Sequence, residues 1–70
     1  MRYMVIVEKG ESSYGAFVPD LPGCIAVGET EQEVMGLIQE AIEFHLEDLQ
    51  LEGQPIPQPV SKSTFVDVAA

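Results

Sequence analysis

Apolar and polar residues alternate in two different rhythms along this chain. Tyr3 to Val7 reads Tyr-Met-Val-Ile-Val, a β-branched and aromatic run with apolar residues on both faces of a strand. That pattern predicts an interior strand covered on two sides. Glu8 to Ser13, with Gly10 inside it, predicts a hairpin loop, and Tyr14 to Val18 a second strand. Pro19-Asp20-Leu21-Pro22-Gly23 breaks that strand, since proline cannot donate to a ladder and restricts its predecessor. Cys24 to Val27 predicts a third short strand, and the short connections predict an antiparallel meander.

The rhythm then becomes helical. Thr30 and Glu33 have the spacing of a capping box, in which each side chain satisfies a backbone N–H at the helix start. Glu29, Glu31 and Glu33 sit at the positive end of the helix dipole. The helix is expected to reach Glu52, with Gly53 as its left-handed stop, a length of about 33 Å. Its core stripe comprises Val34, Met35, Ile38, Ala41, Ile42, Leu46 and Leu49, and His45 falls on the same stripe. Gln54 to Ser63 holds three prolines and reads as extended; Thr64 to Val68 has the composition of a final strand. The expected fold is α+β: a two-layer sandwich in β-β-β-α-β order. One long helix covers a mixed four-stranded sheet, the fourth strand lying parallel to a central first strand. The whole chain, residues 1–70, is expected to be a single domain.

Size adds a constraint. A domain of 70 residues buries only about 60% of the surface its unfolded chain exposes. The single cysteine, Cys24, offers no disulfide. The second sheet face has apolar groups and nothing predicted to cover it, so association with a second copy or another protein is expected, as a dimer or tetramer in the first case. The apolar run at Tyr3–Val7 is too short for a signal peptide or a membrane span, and a lone thiol fits a reducing cytoplasm. No membrane partner is expected.

Charge is strongly one-sided. Twelve acids against three bases give a net charge of −9, which argues against binding a phosphate backbone. Residues 29 to 52 hold eight acids and no Lys or Arg. Glu43 and Glu47 form a like-charge pair four apart, which weakens a helix by a few tenths of a kcal/mol. The face is either a solvated surface or a docking face for a basic partner. Beside it, Leu37, Phe44 and Leu51 recur every seven residues, off the core stripe. They extend the core or form a second apolar seam for self-association, and the seam is the favoured reading.

Catalytic chemistry is poorly provided for. His45 is the one side chain with a near-neutral reference pKa, and it lies among core residues, so a packed, hydrogen-bonded histidine is the expectation. Cys24 opens an apolar strand without a basic neighbour in sequence, and reads as a small buried hydrophobe. One Cys and one His cannot form the usual zinc site, no Asp-rich calcium loop occurs, and no GK[ST] phosphate cradle is present. A non-enzyme without cofactor or metal is expected.

One string is distinctive: Tyr14-Gly15-Ala16-Phe17-Val18-Pro19-Asp20-Leu21-Pro22-Gly23-Cys24. Gly28-Glu29-Thr30, Glu40-Ala41-Ile42-Glu43, His45-Leu46, Gly53, Ile56-Pro57 and Pro59 follow it. Together these residues, spanning nearly the whole chain, resemble the N-terminal domain of the HicB-type antitoxin family. The resemblance implies a partial ribonuclease H-like fold. It also implies an antitoxin role: neutralising a small basic HicA-like toxin that cleaves mRNA with a catalytic histidine on a double-stranded-RNA-binding-like fold. Ribonuclease H activity needs converging carboxylates holding two metal ions. The first strand carries none, so a hydrolase relying on Asp20 or Glu29 is not expected. Two departures stand out. Many members carry a C-terminal DNA-binding domain, whereas this sequence stops at Ala70, so direct operator binding is not expected. Leu37 stands where the family often has asparagine, and Glu29 where aspartate is common.

These readings place partner contacts at Asp20, Leu21 and Pro22 in the loop and at Glu40, Phe44 and Glu47 on the helix. They place self-association at Leu37, Phe44 and Leu51. The alternative role is an orphan homo-oligomeric regulatory module with no toxin partner.

Overall fold

The computed structural model describes residues 1–70. Strands β1 (Ile6–Lys9), β2 (Tyr14–Phe17) and β3 (Ile25–Gly28) form one antiparallel sheet in the order β1-β2-β3. Helix α1 (Glu31–Leu51) packs against β3 and β2, which gives an α+β fold.

Of the expected capping box, the Thr30 half forms, whereas the Glu33 carboxylate does not reach back to the Thr30 N–H. The Thr30 hydroxyl accepts the Glu33 N–H at 3.0 Å, which satisfies one of the orphan donors of the first turn. At the other end Gly53 has φ +70°, the left-handed conformation that suits a residue without Cβ.

The registers divide the sheet into two faces. Val7, Ala16 and Ala26 stand side by side, as do Lys9, Tyr14 and Gly28, on the face turned to α1. Ala16 and Gly28 are buried there, and small residues let the helix approach closely. A Cβ on Gly28 would stand 3.0 Å from the Val34 backbone nitrogen, so a side chain here would press on the start of α1. Ile6, Phe17 and Ile25 form a second row, with Glu8, Gly15 and Val27 beside it, on the outer face. Ile25 and Val27 are 66% and 64% exposed. The uncovered apolar sheet face expected from the sequence is therefore present.

The buried core is small: Ala16, Val18, Leu21, Cys24, Val34 and Ile38. Tyr3, Val5, Val7, Tyr14, Ala26, Ala41, Ile42 and Leu46 pack against it from the sides. Met35, expected in the core stripe, is exposed instead; it lies toward the edge of the stripe near the helix start.

The sheet differs from the expected one in extent. It has three strands, all antiparallel, and β1 is an edge strand rather than a central one. Its ladder runs over Ile6–Lys9, displaced toward the hairpin from the expected Tyr3–Val7, while β3 is displaced by one residue. Thr64–Val68 forms no strand in this structure, so the four-stranded, ribonuclease H-like arrangement is not observed. Strand-type composition does not by itself make a strand: the segment must also lie along an edge and form a ladder with it, and Thr64–Val68 forms none. The chain is tied to the body at the Pro57 carbonyl, which accepts the Tyr3 hydroxyl, and at Ser61, which Asp20 holds. Beyond Ser61 every residue is exposed, and Phe65 is 98% exposed.

Candidate protein-binding surface

The Val18–Cys24 loop is a closed structural unit. The Leu21 N–H donates to the Val18 carbonyl and the Cys24 N–H to the Leu21 carbonyl, each at 3.0 Å, and the Val18 N–H donates to the Cys24 carbonyl at 3.2 Å. Two consecutive turns result, each with a proline at its second position, Pro19 and Pro22. Gly23, with φ +84°, supplies the left-handed residue of the second turn.

The loop tucks Leu21 into the core, where its exposure is 0%. This corrects the expectation that Leu21 contacts a partner: a fully buried side chain has no surface to offer. Asp20 is also occupied internally. Its Oδ1 accepts the Ser61 hydroxyl at 2.7 Å, and its Oδ2 accepts the N–H groups of Ser61 and Val60 at 3.0 and 3.2 Å. The Ser61 hydroxyl, followed by the Ser61 N–H, holds this carboxyl below the usual aspartate value; desolvation opposes them, and the Val60 N–H adds a smaller lowering. Of the three loop residues, Pro22 remains exposed.

The helix residues do come together. Glu40, Glu43, Phe44 and Glu47 line one shallow groove on the solvent side of α1. Their spacing of three and four residues places them on one strip of helix. Phe44 is 71% exposed and also borders a second groove, shared with Gly23, Cys24, Ile25, Ala41, His45 and Asp48. Phe44 thus joins the acidic strip to Gly23 and the start of β3. Glu43 was visible in the helical spacing of the sequence, but Ile25 was not, because only the placement of β3 beside α1 brings it to this groove.

Electrostatically the region has one sign. No cation lies in the last turn of α1, while Asp48 and Glu52 add to the negative end of the helix dipole. A potential of this kind attracts cationic groups and raises their rate of encounter. Leu37 and Leu51 are exposed on the same flank, Leu51 to 78%.

The remaining chemistry-bearing side chains do not converge. Cys24 is buried, and desolvation raises its thiol pKa, which keeps it as unreactive thiol. His45 is half-buried and makes no side-chain hydrogen bond within the chain, unlike the hydrogen-bonded residue expected. No three of the His, Cys, Asp and Glu side chains cluster in a way that could hold a metal ion. No helix is long and apolar enough to cross a membrane.

A sequence profile described as "HicB_like antitoxin of bacterial toxin-antitoxin system" matches residues 3–68. The chain belongs to the HicB-like antitoxin family. It is similar to a UPF0150 protein of Helicobacter pylori, 45% identical over 71% of this chain and 69% of that one. A UPF0150 protein of Thermoplasma acidophilum is 41% identical over 83% of this chain and 86% of that one. "Antitoxin HicB 2" of Photorhabdus laumondii is 33% identical over the whole of this chain but only 51% of its own length. An uncharacterised 14.9 kDa protein of Haemophilus phage HP1 is 38% identical over 83% of this chain and 44% of its own length. The match thus spans about half of the phage and Photorhabdus relatives. No solved structure matches the chain.

Proposed function

We propose that this HicB-like chain is a non-catalytic antitoxin that binds and neutralises a small basic mRNA-cleaving toxin of the HicA-like type. The observation that supports this reading most directly is the acidic strip Glu40, Glu43 and Glu47 around exposed Phe44, in a chain whose family is described as antitoxin. A toxin that grips RNA does so with Lys and Arg. Carboxylates on α1 pair with those cations and occupy the surface that the RNA phosphates would use. Phe44 enters the contact as an aromatic anchor, and the surrounding groups exclude water from it. Gly23, in the turn after Pro22, stands on the far rim of the adjoining groove. The complex acts in the cytoplasm, where mRNA is.

The test is co-expression with a HicA-like toxin from the same genome. Growth arrested by the toxin resumes when the chain is present, and the two proteins copurify. Continued arrest with no complex contradicts the reading and leaves the orphan, toxin-free module as the better account.

A further inference from the structure

We infer that Thr64–Val68 is an exchange strand, which pairs with the free edge of β1 in a second copy of this chain. The segment has the composition of a strand but no sheet to join: Thr64, Phe65, Val66 and Val68 are of strand-forming type, and Phe65, Val66 and Val68 are all exposed. From Pro55 onward the backbone makes no hydrogen bond to other backbone. β1 offers the complementary defect, since it pairs with β2 on one side and with nothing on the other. A bare edge of this kind is a template for an added strand.

The geometry places the two defects side by side at one end of the molecule. The root of the segment is fixed against the residues leading into β1: Pro59, Ser61, Lys62 and Ser63 share a cleft with Arg2, Tyr3 and Met4. The Asp20–Ser61 clamp holds that root in place, and past Ser63 the apolar side chains Phe65, Val66 and Val68 are left uncovered by the body. The molecule is also elongated. The radius of gyration is 14.0 Å, against about 11 Å for a compact chain of this length. The long axis is 48 Å, whereas a helix of 21 residues spans about 32 Å.

A second copy satisfies both defects at once. Five residues of strand reach about 17 Å, enough to run the length of β1. Two chains related by a twofold axis each donate one strand and receive one, so the contact is closed and self-complementary. Alternation then places Val66 and Val68 on one face and Phe65 on the other. Val66 and Val68 extend the row of Val5 and Val7 on the helix side. Phe65 extends the apolar outer row of Ile6 and Phe17. Each three-stranded sheet becomes four-stranded, and a core of six buried residues gains apolar cover. The inference stands on these surfaces alone and does not depend on a toxin.

The experiment is light scattering on the full chain and on the full-length double variant Phe65→Pro, Val66→Pro. Adjacent residues of a strand point their N–H groups to opposite sides, so one of the two prolines removes a ladder donor whatever the register. The chain is expected at twice the 7.6 kDa of one copy and the variant at half that mass, with unchanged helical circular dichroism. A second measurement is independent of how the variant folds. In a mixture of isotope-labelled and unlabelled wild-type chains, filtered NOEs are expected between residues 64–68 of one copy and residues 3–9 of another. A monomeric wild-type chain, a variant that remains dimeric, or NOEs confined within one chain would overturn the inference.

Discussion

Asp20 and Ser61, forty-one positions apart, are joined by two hydrogen bonds, one from the Ser61 N–H and one from its hydroxyl. This contact ties the proline-rich segment after α1 to the turn between β2 and β3. It consumes a carboxylate that the sequence alone offered to a partner.

The clamp has a defined pH response. The folded-state pKa of Asp20 lies below its ordinary value of 3.8, so its contribution is fully present above about pH 4. It is lost as pH falls through the lowered folded value. The Ser61 amide resonance, followed by NMR, should titrate with a midpoint below that of a free aspartate. Asp20→Ala should abolish the titration and speed amide exchange at Val60 and Ser61. A midpoint at or above the ordinary value would remove the clamp from the account.

Leu21→Ala should cost about 2–5 kcal/mol, the range for emptying a buried leucine site. Domains of this size have about 4–10 kcal/mol in total, so the variant should be largely unfolded at moderate urea. Pro22→Ala, in the same loop but exposed, should change stability far less. Equal effects in chemical denaturation would contradict the division of the loop into a buried anchor and an exposed rim.

Much of the fold was legible, for separable reasons. The α1 boundaries followed from local chemistry, with Thr30 and Glu33 at one end and Gly53 at the other. The presence and order of the three strands followed from short-range patterning, while β1 lies nearer the hairpin than its apolar run indicated. What failed was nonlocal. Leu21 lies between two prolines and next to an aspartate, a context that reads as exposed loop. Only the double turn reveals that its side chain folds inward. The composition of Thr64–Val68 reads as a strand, but composition carries no information about whose edge receives it. On α1 the strip of Glu40, Phe44 and Glu47 was legible because three- and four-residue spacing fixes a helix face without tertiary knowledge.

Two glycines should respond to alanine in opposite directions. At Gly28 the added Cβ meets the Val34 backbone at 3.0 Å and 3.2 Å, so Gly28→Ala should destabilise by about 1–3 kcal/mol through overpacking. At Gly36 nothing lies within 4 Å, and Gly36→Ala should stabilise α1 by about 0.5–1 kcal/mol through helix propensity. Thermal melts of both variants check the pair. A stabilising Gly28→Ala would mean that β3 and α1 do not approach as closely as described.

Cys24 should react slowly. The thiol is buried and its pKa is raised by desolvation, so thiolate is scarce at neutral pH. Labelling with a thiol reagent should be much slower in the folded chain than in urea. Equal rates would contradict the burial of Cys24.

The central claim is that the acidic strip on α1 receives a basic toxin, and charge reversal tests it most directly. The measurement is the association rate of a HicA-like toxin with the wild-type chain and with the double variant Glu40→Lys, Glu47→Lys, over a range of salt concentrations. The variant should associate more slowly at low salt, with a difference that shrinks as salt rises. The isolated variant should nevertheless be slightly more stable, because Glu47→Lys gives Glu43 an opposite charge one turn along the helix in place of a like one. Toxin association that is equally fast in both chains at low salt would contradict the claim and make the strip a solvated surface.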